Sequence, residues 1–141
     1  MGRSRSIKTC TDWQQLNRAL QEIADEPTGV VTVEAGAEVA NVRVLTLQVR
    51  DRLGKPWPGR WLVWFFLAAT ENGAPDASGN SVAVTTGMVF QAVIADAAYQ
   101  VLTDADGKIV VELDVSGAGT RWVHTMADRG RLDANGPFVW A

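Results

Sequence analysis

Cysteine is almost absent from this 141-residue chain: there is one, Cys10. A single thiol closes no intrachain disulfide, so the fold must rest on its core and requires no oxidising compartment. Histidine also occurs once, as His124. One Cys and one His do not make a closed zinc site. A Cys–His nucleophile pair would need Cys10 to cross from the N-terminal arm, with no third group evident to orient the imidazole. Phosphate-binding GK(S/T), dinucleotide-type GxGxxG and hydrolase-type GxSxG patterns are missing. Nothing in the spacing of the 16 acidic residues marks a catalytic pair. The expectation is a protein that is not an enzyme and carries no cofactor or metal.

Long hydrophobic runs are lacking as well. No apolar stretch reaches the 18 residues of a membrane span, and the start MGRSRSIKTCTDW is basic without the apolar centre of an export signal. Synthesis in a cytoplasm and no membrane partner are therefore expected. Positive charge is in slight deficit, 13 Lys and Arg against 16 Asp and Glu, for a net charge of -3. A general phosphate-backbone binder needs the opposite balance, so nucleic acid is not an expected partner. Hydrophobic residues at 47% and charged residues at 21% suit one globular domain with a sizeable core.

Residues 1–10 read as a flexible basic arm carrying Arg3, Arg5 and Lys8. It is either a solvated tail or an arm that orders along an acidic groove of a partner. A helix is predicted within 11–29. Thr11 is its N-cap, Gln14 returns a bond three residues on, and Pro27 and Gly29 end it. Trp13, Leu16, Leu20 and Ile23 form its apolar stripe. That stripe packs on the chain's own sheet or inserts into a neighbour.

From Val30 the period falls to two, and residues 30–141 read as a β domain. VVTVE (30–34) is a strand, AGAE (35–38) a turn, and VANVRVLTLQVR (39–50) a long strand with a bulge where its alternation slips between Val44 and Leu45. DRLGKPWPGR (51–60) is a loop, since its glycines and prolines cannot sit in a ladder, and Trp57 is expected to fold over the end of the domain. ENGAPDASGNS (71–81) is a long exposed loop. Strands follow at 82–86, 88–94 and 99–103, with a break at Gly87. Asp104, Asp106 and Gly107 resemble part of a calcium loop, but the first and twelfth ligand positions would be Leu102 and Leu113, so DADG is a turn. KIVVELDV (108–115) alternates cleanly, with Ile109, Val111, Leu113 and Val115 facing in. TRWVHTMAD (120–128) is a strand that carries His124 as a packed residue, and PFVWA a last short one. Seven or more strands at this spacing predict an all-β, immunoglobulin-like antiparallel β-sandwich with one N-terminal helix.

The central stretch WLVWFFLAA (61–69) is apolar on both faces: Trp61, Val63, Phe65 and Leu67 on one, Leu62, Trp64, Phe66 and Ala68 on the other. A strand with one solvated side alternates with polar residues, so this one is expected to be covered twice. The second cover is either the leading helix or another molecule.

LQVRDRLGKPWPGRWLVWFF (47–66) resembles the bacterial immunoglobulin-like domains of invasin and intimin type, with a strand, a D-x-x-G-x-P turn and a second apolar strand in that order. TDADGKIVVELDVSGAGTRWVHT (103–125) resembles the later part of the same family. A signal-less single domain of this kind is similar to the small immunoglobulin-like structural proteins of tailed-phage particles. The resemblance implies a capsid decoration (cement) protein on the virion head, made in the host cytoplasm. It would be a homo-oligomer, trimer before dimer, bridging major capsid subunits. A tail or fibre-base module, or a receptor- or glycan-binding module, are the other roles it admits. The residues expected to make contacts are Arg3, Arg5, Lys8, the Trp13 stripe, Trp64 and Phe66. Trp57, Asn72, Asp76 and Asn80 are the loop candidates.

Overall fold

The structure, a computed structural model, describes residues 29–127 and 131–141. The predicted basic arm and helix, with Arg3, Arg5, Lys8, Trp13, Leu16, Leu20 and Ile23, lie outside the described residues. Nine strands occur among those described: β1 (Val30–Ala35), β2 (Val42–Arg50), β3 (Leu62–Ala68), β4 (Asn80–Thr86), β5 (Met88–Ile94), β6 (Ala98–Leu102), β7 (Lys108–Val115), β8 (Gly119–Ala127) and β9 (Asp133–Trp140). They make two antiparallel sheets, β1-β2-β7-β4 and β5-β6-β3-β8-β9. One core joins the inner faces. Leu45, Leu47 and Val49 of β2 and the alternate residues Ile109 to Val115 of β7 meet Val63, Phe65 and Leu67 of β3, Val101 of β6 and Val123 of β8. The described chain is an all-β sandwich, held by apolar burial between layers.

β7 runs over the residues its alternation predicts, with Ile109, Val111, Leu113 and Val115 buried and Lys108, Glu112 and Asp114 exposed. The expected strand over 39–50 is divided. Ala40 and Asn41 take φ of 51° and 70°, and Val39 and Val42 exchange both backbone hydrogen bonds at 2.9 Å around them. This is the type I′ form of the two-residue hairpin turn, with positive φ at both central positions, and Asn supplies one of them at small steric cost. β2 then pairs with β1 and β7 without any register shift, so there is no bulge at Val44. The slip in the pattern is Val44 itself, an apolar residue on the outer side. The last strand is longer than PFVWA. It begins at Asp133, because the Asn135 amide donates to the Val123 carbonyl at 3.0 Å and the Thr125 hydroxyl at 3.2 Å and binds this stretch to β8.

Trp57 closes one end of the sandwich. Its N–H donates to the Val49 carbonyl, its carbonyl accepts the indole N–H of Trp61 at 2.9 Å, and the two rings lie 4.2 Å apart. The Asp104–Gly107 turn is capped by the Asp104 carboxylate, which accepts the N–H groups of Asp106 and Lys108, each at 2.9 Å. The chain passes from β4 in one sheet to β5 in the other at Gly87, beside Leu102 and Ile109. Gly87 has φ of 102°, and a Cβ there would stand 2.9 Å from the Leu102 carbonyl oxygen. Five strands face four, and β5 overhangs with β6 as its main neighbour.

Candidate functional site

Pairing across the five-stranded sheet lines up its outer side chains in rows, since directly paired residues share a face. One row is Met88, Leu102 and Leu62; the next is Gln91, Gln100, Trp64 and Met126; the third is Ile94, Ala98, Phe66, His124 and Ala134. No Asp, Glu, Lys or Arg stands in these rows. Trp64 and Phe66 are thus brought together, as the central stretch implied. Their cover differs. Phe66 is half-buried with its ring stacked on the His124 imidazole, centroids 4.3 Å apart, whereas Trp64 stays 40% exposed. Val63, Phe65 and Leu67 on the inner side are buried. The expected double cover of β3 is therefore complete inside and partial outside.

The largest apolar exposure is two strands away, at the sheet edge beyond β6. Every residue of β5 is exposed, with Met88 at 59%, Val89 at 42%, Phe90 at 72%, Val93 at 47% and Ile94 at 44%. Val89 pairs with the buried Val101 and so points to the inner side, yet the overhang leaves it without a covering sheet. Register shifts between Val89 and Gln91 and between Ala92 and Ile94 make Phe90 and Val93 extra residues of two bulges. Sequence reasoning found this strand but gave it no role. The signal was present: MVFQAVI has no charge and no proline.

The loop candidates do different work. The Asp76 carboxylate accepts the Ser78 N–H at 2.8 Å, and hydrogen bonds from Ser78 hold its carboxyl below the ordinary value. The Asn80 amide donates to the carbonyls of Asp76 and Asp96, and its oxygen accepts the Arg121 guanidinium at 2.8 Å. Both residues brace the loop between β3 and β4. Asn72 is exposed, and Trp57 is half-buried against the core. His124 Nε2 is buried without a hydrogen-bond partner among the described residues.

A shallow cavity of about 410 Å³ lies on the outer side of the other sheet, lined by Thr32, Glu34, Gln48, Arg50 and Lys108 among others. Three of its polar side chains, Thr32, Gln48 and Arg50, are engaged within the fold. Gln48 donates to the carbonyls of Val49 and Asp106, and Arg50 to the Thr32 hydroxyl and the Gly54 carbonyl. Among the described residues no three potential metal ligands come together, and no helix is long and apolar enough to cross a membrane. What the molecule presents most clearly is uncharged area along β5 and the outer side of β3.

In architecture the chain is a two-layer antiparallel β-sandwich with an overhanging edge. No family model matches it, and no curated protein or solved structure shows a significant likeness to it.

Proposed function

We propose that this protein is a non-enzymatic structural subunit of a tailed-phage virion, a capsid decoration protein that binds and stabilises the lattice of the major capsid protein. The observation that carries the proposal is the uncharged surface of the five-stranded sheet, from Trp64 to β5, which is exposed along its whole length. Patches of this kind mark surfaces meant for another protein. On a repeating shell even modest contacts add up through multivalency. The immunoglobulin-like assignment belongs to the same proposal. The two stretches that resemble such domains supply the end of β2 with most of β3, and β7 with most of β8, and these strands pair β2 to β7 and β3 to β8. The segments carrying the resemblance therefore pack together as one unit.

The role is tested by co-sedimentation with assembled shells of the phage that encodes the chain. The expected result is saturable binding that Trp64→Ala weakens about tenfold or more; shells that pellet without the protein would refute it. A tail or fibre-base position uses the same surface, and binding to purified tails but not to shells would select that alternative. A glycan-binding role has less support, because Trp57 is packed against Trp61 rather than offered to a sugar.

A further inference from the structure

We infer that β5 is a self-association edge: two copies of this chain pair about a two-fold axis through Met88–Ile94. Among the described residues the sandwich has four edge strands, and three of them carry a charge, a proline or an already engaged backbone N–H that hinders pairing with another chain. β1 has the exposed charge of Glu34, β9 contains Pro137, and on β4 the Val82 N–H already donates to the Asp96 carboxylate at 3.0 Å. β5 has neither charge nor proline, and its only edge-blunting feature is the pair of bulges at Phe90 and Val93.

The occupant follows from charge and area. A strand without charge meets its own copy in antiparallel alignment with no like-charge repulsion, and a two-fold contact requires such self-complementarity. Its five large apolar side chains, 42–72% exposed, offer on the order of 1,000 Å² across a pair, the low end of what a specific interface buries. The bulges at Phe90 and Val93 shorten any shared hydrogen-bond ladder. Side-chain burial therefore supplies most of the contact. Full overlap of two seven-residue strands centres the axis on Gln91 and sets each Phe90 close to it. Such a pair is a dimer, whereas the family resemblance favoured a trimer.

The inference deepens the decoration role but fails separately, since a monomer that binds shells would overturn the pairing and leave that role standing. Sedimentation velocity on the full chain over a wide concentration range tests it. The wild type is expected to dimerise; Phe90→Lys and Phe90→Glu are each expected to weaken dimerisation about tenfold or more, and an equimolar mixture of the two variants to restore it. Unchanged circular dichroism is expected in both, because Phe90 is 72% exposed. A wild type that stays monomeric overturns the inference, as does a dimer indifferent to Phe90. A mixture that stays monomeric overturns the two-fold arrangement. Equal weakening by Val44→Lys, on the opposite sheet, overturns β5 as the interface.

Discussion

Tyr99 is the only tyrosine in the chain, and its environment is unusual for a surface-prone residue. Its ring stacks on Phe65 at 5.3 Å, and its hydroxyl accepts the Asp96 N–H at 2.7 Å. Burial raises its pKa above the ordinary 10.0, and the Asp96 charge adds to the rise against that hydrogen bond. A raised folded pKa means that native stability is whole below pH 10 and falls as pH climbs through the native value. With one tyrosine, tyrosinate absorbance reads the site directly: the native protein should titrate above the denatured one, and coincident midpoints would contradict the burial. Trp57 was legible at this scale, because a loop bounded by prolines and glycines leaves a large indole little choice but the nearest open end of the core. Arg43 was not. It sits where the alternation calls for an apolar residue, and its guanidinium donates to the carbonyls of Gly36 and Val139 and lies 5.5 Å from the Trp140 ring centre. An inward position at the end of a sandwich can be finished by a cation, and a linear pattern does not say where the end falls.

Among the elements, β7 was readable because it lies inside its sheet between β2 and β4, with one face on the inter-sheet core and the other largely exposed. Period two is the direct consequence. β5 was readable as a strand but not as an exposed one. A short apolar run without polar alternation has the pattern of a doubly buried strand, and only the packing of five strands on four, with β1 against β8 and β9, leaves β5 at the uncovered edge. The hairpin at Ala40 and Asn41 was hidden for a different reason: Asn precedes Val rather than Gly, so the usual turn pair is missing. Gly87 sets the geometry of the edge. Its φ of 102° and the 2.9 Å approach to Leu102 leave no room for a side chain where β4 hands over to β5. Gly87→Ala should cost about 2 kcal/mol or more of stability, read as a lower urea midpoint with unchanged slope; a midpoint equal to the wild type would show that the corner is relaxed.

For the whole molecule, the sandwich holds one continuous core and still leaves Trp64, Met88, Phe90, Val93 and Ile94 open on one sheet. Monomeric proteins seldom keep so much uncharged surface gathered in one region. The sequence announced an excess of apolar surface at 61–69, and the structure places much of the exposed apolar area at the edge of the same sheet, two strands from β3. Whether this surface is covered when the protein is at work is the proposition on which the proposed role depends. Hydroxyl-radical footprinting of the native assembly against the isolated chain measures it most directly. Strong protection of Trp64, Met88 and Phe90 in the assembly is predicted, with exposed Leu53 on the loop between β2 and β3 labelled equally in both; equal labelling of the sheet and edge residues in the two states would contradict the account.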